Sequence, residues 1–150
     1  TLARLADAAW QWRVSLSFDF LGWEWCSVRT PSEAWSVVRA ANRGNLGITV
    51  DVANFQAGPG MMAEISALPA HAVTMFHVND TVDKPKADIG VYDRVMPGDG
   101  VAPARDIARL LRGIGFDGFA SVETFNHDYN AMDQAAVAAD ALAKTRRLFA

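Results

Sequence analysis

The stretch TPSEAWSVVRAANRGNLGITVDV, residues 30–52, contains one complete helix–strand unit and decides the fold class. Thr30 and Glu33 have the spacing of a capping box, with a proline at the first helical position. Apolar residues then recur at helical spacing, and Gly44 predicts the end of the helix. Residues 46–52 form a short apolar run rich in β-branched side chains, which predicts a buried strand.

The same alternation of helix and strand extends towards both ends of the chain. Further strands are predicted at residues 14–21, 72–78 and 119–124. Further helices are predicted at residues 2–11, 61–68, 103–113 and 131–148. The order αβαβαβαβα is typical of an α/β fold with parallel strands and right-handed crossovers. Residues 53–60 and 79–102 are predicted to be loops, and such long loops after strands place function at the carboxyl ends of the strands.

Length and composition are those of a single globular domain, residues 1–150. Hydrophobic residues make up 51% and charged residues 21% of the chain, which excludes a disordered or fibrous protein. The net charge of −3 and the absence of a basic block argue against nucleic acid as a partner. No apolar run approaches the ~20 residues that span a bilayer, so no membrane partner is expected. The single cysteine, Cys26, excludes an internal disulfide framework and fits a reducing, cytoplasmic compartment.

Each predicted strand ends with one residue that can bind a metal ion. In chain order, these residues are Asp19, Asp51, His77 and Glu123. Because parallel strands bring their carboxyl ends to the same edge of a sheet, we expect the four side chains to converge. Three carboxylates and one imidazole suit one divalent metal, either Mn²⁺, Mg²⁺, Co²⁺ or Zn²⁺. Without a metal, the converging carboxylates repel one another, which favours their protonation.

Five segments resemble a known family. They are SFDFLG (residues 17–22), TVDVANF (49–55), FHVNDT (76–81), YDRVMPGDGV (92–101) and SVETFNHDYNAM (121–132). Together they resemble the xylose isomerase-like TIM-barrel superfamily of sugar phosphate isomerases and epimerases, and within it the inosose isomerases. The resemblance implies a (β/α)₈ barrel, of which this chain supplies about four βα units, strands five to eight. A fragment of a longer chain is expected, and pairing of two copies through their open strand edges is the alternative.

The resemblance also implies that one divalent metal is held by four strand-end residues. Asp51, His77 and Glu123 match three of the family's ligands. Asp19 stands where the family has Glu, so its reach is one methylene shorter. Asn54 stands where the family has His, and it can hydrogen-bond a substrate but cannot exchange a proton near neutral pH. These two departures question catalytic competence more than they question the fold.

The activity implied by the resemblance is proton transfer next to the carbonyl group of a keto-sugar or keto-cyclitol. In such a reaction the metal polarises the carbonyl, an enediolate forms, and Asp19 and Glu123 carry the proton. A metal-dependent isomerase or epimerase is therefore expected. Two alternatives stay open, a lyase of the same superfamily similar to inosose dehydratase and a degenerate fragment that only binds metal or polyol. A DNA-repair endonuclease on this fold is disfavoured by the small number of histidines and the negative net charge.

Four residues are predicted to contact the sugar or cyclitol, namely Arg94, Asn54, Asp80 and Trp23. The Arg94 guanidinium is expected to hydrogen-bond substrate oxygens. The Trp23 ring suits stacking on a sugar, although filling space above the barrel mouth is the stronger expectation. Asn79 and Asp80 lie two and three residues after His77, and they are expected to orient its ring or to hold the loop.

Overall fold

The computed structural model describes all residues 1–150 and contains two sheets. The strands, in chain order, are β1 (Leu16–Asp19), β2 (Leu46–Asp51), β3 (Val73–Val78), β4 (Asp80–Thr81), β5 (Arg94–Val95) and β6 (Phe119–Val122). The helices are α1 (Leu2–Trp10), α2 (Pro31–Ala41), α3 (Val52–Ala57), α4 (Met62–Ser66), α5 (Ala104–Gly113), α6 (His127–Asn130) and α7 (Gln134–Leu148). Short 3-10 turns occupy Ala70–Ala72, Lys86–Asp88 and Val91–Asp93.

The main sheet has four parallel strands in the order β1-β2-β3-β6. Strands that are consecutive in this sheet are joined through at least one helix, as parallel pairing requires. The predicted α/β class with parallel strands is therefore confirmed. One edge of β1 and one edge of β6 have no partner strand, and the expected self-association through these edges stays a prediction.

Helix α2 forms where the capping box predicts it. The Thr30 hydroxyl accepts a hydrogen bond from the Glu33 amide at 3.3 Å, and the Glu33 carboxylate accepts one from the Thr30 amide at 3.2 Å. The helix ends at Ala41 rather than at the predicted Gly44, because Asn42 adopts the left-handed conformation with a φ of 49°.

Strand β2 lies at the centre of the core, and all six of its residues are buried. Ile48 and Val50 of β2 pack in one cluster with Phe76 of β3 and Ile107 of α5. Complete burial of a side chain of this size contributes roughly 1.5–3 kcal/mol relative to its exposure. This packing holds the carboxyl ends of β2 and β3 side by side, which positions the residues described below.

Two predicted loops contain regular structure. Residues 53–60 were predicted as loop, but α3 begins directly after β2, because the Asp51 side chain accepts a hydrogen bond from the Asn54 amide and caps the helix. Within residues 79–102, β4 and β5 form a small antiparallel sheet. Each of these strands has only two residues, which is too short for a hydrophobic period to show in the sequence.

The remaining differences concern the ends of elements. β1 is shorter than the predicted strand 14–21, and the predicted closing helix 131–148 begins only at Gln134, after the separate short helix α6. An Asp133 side-chain cap on the Ala136 amide explains the start of α7. None of the seven helices combines the length and the apolar composition needed to cross a membrane.

Candidate metal centre

The parallel sheet brings the predicted ligands to one edge. Asp19 ends β1, Asp51 ends β2, His77 lies near the end of β3, and Glu123 directly follows β6. Asp51 and His77 are register partners in neighbouring strands. The expected convergence of side chains from four strands is therefore found in the structure.

The His77 imidazole lies among the three carboxylates. Its Nδ1 atom is 3.4 Å from Oδ2 of Asp51, 3.5 Å from Oε2 of Glu123 and 3.8 Å from Oδ2 of Asp19. One ligand atom from each of Asp19, Asp51 and His77 lies within 4.8 Å of the others, a separation that a single metal ion can bridge. Glu123 lies outside this three-residue set, although it contacts His77.

The chemistry of these donors fits a divalent cation. Nδ1 of His77 is buried and has no hydrogen-bond partner, although carboxylate oxygens surround it. A buried nitrogen without a partner is costly, and a bound cation would remove that cost by accepting its lone pair. Two carboxylates and one imidazole, with Glu123 nearby, form the hard, mostly oxygen set that Mn²⁺, Mg²⁺, Co²⁺ and Zn²⁺ accept.

Arg94 supplies the positive charge of the site. Its Nη1 atom donates to Oδ2 of Asp51 at 3.0 Å and to Oε2 of Glu123 at 2.7 Å, and its Nη2 atom donates to Oδ1 of Asn54 at 3.1 Å. The Arg94 side chain is only 3% exposed. The arginine predicted to contact substrate is thus already engaged with two carboxylates, which keeps them together despite their like charge.

Asn54 connects two of the acidic residues. Its backbone amide donates to Oδ1 of Asp51 at 2.8 Å, and its side-chain Nδ2 atom donates to Oδ1 of Asp19 at 3.3 Å. Asn54 is fully buried in the first turn of α3. It therefore lies inside the site, where it orients carboxylates through hydrogen bonds.

Asp80 and Trp23, both predicted to contact substrate, are engaged elsewhere. The buried Asp80 carboxylate accepts hydrogen bonds from the amides of Thr81, Gly98 and Ala102 at 2.7–3.1 Å. This gives Asp80 the alternative role expected for it, that of holding the loop 79–102. The Trp23 indole donates to the backbone oxygen of Ile89 at 2.6 Å, which ties the segment after β1 to the same loop.

Comparison with known proteins identifies the family. A model of the xylose isomerase-like TIM barrel family matches residues 1–148. The chain belongs to this family. The resemblance seen in the five sequence segments is thus confirmed, and the chain contributes four parallel strands of this barrel fold.

Two curated enzymes and one crystal structure are similar to this chain. The inosose isomerase of Bacillus licheniformis is 31% identical over 128 residues, which cover 85% of this chain and 46% of that enzyme. The 3-dehydroshikimate dehydratase of Pseudomonas aeruginosa is 28% identical over 149 residues, which cover 94% of this chain and 22% of that enzyme. The crystal structure of the IolI protein with a bound zinc atom matches 98% of this chain and 53% of its own, with a TM-score of 0.92 and 28% identity. The chain spans about half the length of the inosose isomerase.

Two residues of the candidate site have raised pKa values. Burial and the neighbouring Asp51 charge raise the pKa of Asp19 to about 7. The pKa of His77 is also raised, and its contact with Asp51 is the largest cause. Burial of the imidazole lowers this pKa, whereas the charges of Glu123, Asp51 and Asp19 raise it further. Near neutral pH the metal-free site therefore holds protons on groups that a cation needs in their deprotonated form.

Metal binding to this barrel chain is expected to be strongly pH-dependent. Because a cation must displace protons from Asp19 and His77, Mn²⁺ affinity should fall as the pH decreases from about 8 to 5.5, with release of about one or two protons per ion. Calorimetric titration in buffers of different protonation enthalpy measures both quantities. Binding without proton release near pH 6.5 would contradict the protonated, metal-free site.

The stability of the metal-free chain is expected to have the opposite pH dependence, decreasing as the pH rises. Asp19 and His77 both bind protons more tightly in the folded chain than in the unfolded chain. Their contribution to the free energy of unfolding is therefore complete at low pH. The Asp19 contribution declines as the pH rises from about 4 to 7, and the His77 contribution declines as the pH rises through the raised pKa of His77. Thermal unfolding in EDTA at several pH values checks this direction.

Sequence reasoning missed two contacts of this site. Phe125 has a φ of 50°, unusual for a bulky residue, and its ring centroid lies 5.1 Å from Cζ of Arg94. Nothing in the sequence marks Phe125 for a left-handed conformation. Asn79 was expected only to orient His77 or to hold the loop, yet its side chain contacts Asp51. Its position directly after an apolar strand was the available signal.

Proposed function

We propose that this chain carries the metal-binding centre of an isomerase or epimerase that acts on a keto-sugar or keto-cyclitol. The observation that carries the proposal is the convergence of Asp19, Asp51 and His77 around a buried imidazole nitrogen that has no hydrogen-bond partner. The inosose isomerase relatives support the reaction class, and the zinc atom of the IolI structure supports metal dependence.

Asp19, Asp51 and His77 would hold the ion, with Glu123 next to them. When bound, a divalent cation polarises a substrate carbonyl and makes the adjacent C–H bond more acidic. Any of Mn²⁺, Mg²⁺, Co²⁺ and Zn²⁺ suits this donor set, so the identity of the metal is left to experiment.

The proton is proposed to move on Glu123 and Asp19. Glu123 lies outside the three-residue ligand set, its side chain is 32% exposed, and Arg94 orients its carboxylate from 2.7 Å. These features suit a base that reaches a substrate C–H bond. Asp19 is proposed as the second proton carrier, and its pKa of about 7 describes the site before a cation binds. In this proposal Asp51 and His77 only hold the ion, Glu123 only carries the proton, and Asp19 serves both tasks.

A lyase is the second candidate. The similarity to 3-dehydroshikimate dehydratase over 94% of this chain favours it. Removal of a proton next to a carbonyl begins both kinds of reaction, and a lyase then expels a neighbouring hydroxyl group as water. The same site residues serve both reactions, so the products distinguish them.

Deuterium exchange tests the proposed function. We expect the Mn²⁺-loaded chain in D₂O to incorporate deuterium at the carbon next to the carbonyl of 2-keto-myo-inositol, as measured by proton NMR against a protein-free control. Exchange should stop in EDTA and in Glu123→Gln, because the first removes the cation and the second removes the base.

The outcomes separate the candidates. Loss of water from 3-dehydroshikimate, without isomerisation of the inosose, would favour the lyase. Saturable Mn²⁺ binding without exchange would instead indicate a degenerate site, consistent with Asp19 and Asn54 at positions where the family has Glu and His. Absence of Mn²⁺ binding to the chain would contradict the proposed metal centre.

A further inference from the structure

Asn79 is the one neutral, fully buried side chain that contacts both a proposed metal ligand and the backbone of Glu123. It follows β3, two residues after His77. We infer that Asn79 is a positioning residue, which fixes the Asp51 carboxylate and the end of β6 in the arrangement that binds the cation. This inference rests on the proposed metal centre, and it names Asn79 as a residue that determines how tightly the centre binds its cation.

The Asn79 side chain joins the ends of two strands that flank its own. Its Oδ1 atom accepts a hydrogen bond at 2.8 Å from the amide of Ala53, the second residue of α3, two positions after the end of β2. Its Nδ2 atom donates to Oδ2 of Asp51 at 3.3 Å and to the backbone oxygen of Glu123 at 3.0 Å. One amide group therefore links the carboxyl ends of β2, β3 and β6.

The direction of the amide is determined by its partners. Because the Ala53 amide is a donor, the Asn79 oxygen must face it, and the nitrogen must then face Asp51 and Glu123. Each carboxylate oxygen of Asp51 consequently accepts a hydrogen bond from a different asparagine. The Asn54 amide donates to Oδ1, and Asn79 donates to Oδ2.

Asn79 differs from Arg94 in charge, and that difference matters for a cation. Both side chains donate to Oδ2 of Asp51, but the guanidinium carries a positive charge that a bound dication repels. A neutral amide orients the carboxylate without opposing the ion, so it can keep its contacts in the loaded site. Hydrogen-bond partners of ligating side chains typically change metal affinity 10–100-fold when they are removed.

The test compares Asn79→Ala with Asn45→Ala in the complete chain, with Mn²⁺ as the probe. Asn45 is also buried, and its Nδ2 atom donates to the backbone oxygens of Ala6 and Val14 at 2.9 and 3.1 Å, at the opposite end of β2 from Asp51. Asn45→Ala removes these two hydrogen bonds and Asn79→Ala removes three, so both should lower the melting temperature. Only Asn79→Ala should weaken Mn²⁺ binding in calorimetry at about pH 8, by roughly 10–100-fold.

A second variant, Asn79→Ser, keeps the test informative if Asn79→Ala does not fold. In Asn79→Ser the hydroxyl is too short to replace the amide contact with Asp51, but it leaves a polar group near the Ala53 amide. We expect the same direction of change in Mn²⁺ affinity. Co²⁺ absorption in the visible range gives an independent readout, since it responds to ligand geometry and should change in the Asn79 variants only.

The outcomes separate this inference from the proposed function. Unchanged Mn²⁺ affinity in a folded Asn79 variant would overturn the positioning role while leaving the metal centre intact. Equal losses in the Asn79 and Asn45 variants would also overturn it, because they would show a general effect of lower stability. Failure of the parent chain to bind Mn²⁺ would overturn the metal centre and this inference together.

Discussion

Asp51→Asn is expected to remove Mn²⁺ binding, with a loss larger than the roughly 10–100-fold effect of an outer hydrogen-bond partner. Asp51 is the fully buried carboxylate of the site, and His77, Arg94 and Asn79 all contact its Oδ2 atom. An amide has the same shape but carries no negative charge to offset the cation. Calorimetric titration of the purified chain with Mn²⁺ at about pH 8 gives the measurement.

The substitution is chosen to leave the fold in place. Asn caps helices as well as Asp does, so the bond from the Asn54 amide that starts α3 can persist. Asp7→Asn is the matched control, because Asp7 is a half-exposed carboxylate that pairs with Arg43 away from the site. Asp7→Asn should bind Mn²⁺ like the parent chain. Retained binding in Asp51→Asn would show that the cation sits elsewhere.

The sequence predicted the position of this site because two simple patterns combine. Each strand has a chemically distinctive residue at or next to its carboxyl end, and alternation with helices favours parallel strands. Parallel strands bring Asp19, Asp51, His77 and Glu123 to one edge of the sheet, so their proximity can be predicted before any distance is known. The capping box at Thr30 likewise specified the start of α2 from local chemistry alone.

The contacts that complete the site could not be predicted in the same way. Arg94 reaches Asp51 across 43 positions of sequence, through a two-residue strand that has no detectable period. Asp80 looked like a site residue because it follows His77, whereas its carboxylate turns to the amides of its own loop. Repulsion between the converging carboxylates predicted a raised pKa, but the largest cause of the shift at Asp19 is burial, which a single sequence does not show.

Arg94→Met is expected to destabilise the metal-free chain by about 3–5 kcal/mol, the usual consequence of removing one partner from a buried ion pair. The Arg94 side chain is 3% exposed and holds the carboxylates of Asp51 and Glu123 together. Without the guanidinium, the fully buried Asp51 carboxylate and the one-third exposed Glu123 carboxylate both lose their charged partner. Denaturant unfolding in EDTA measures the change, and at this chain length each kcal/mol corresponds to roughly 2–4 °C in melting temperature.

The same variant separates two roles of the arginine. A dication at the site supplies the charge that Arg94→Met has lost, so saturating Mn²⁺ should raise the melting temperature of the variant more than that of the parent chain. Arg43→Met removes a more exposed guanidinium that pairs with Asp7, and it should lower the stability far less than Arg94→Met, with no dependence on Mn²⁺. Equal stability of Arg94→Met and the parent in EDTA would mean that the carboxylates need no counter-charge. A loss that Mn²⁺ does not restore would instead assign Arg94 to packing, because a cation can replace the charge of a guanidinium but not its shape.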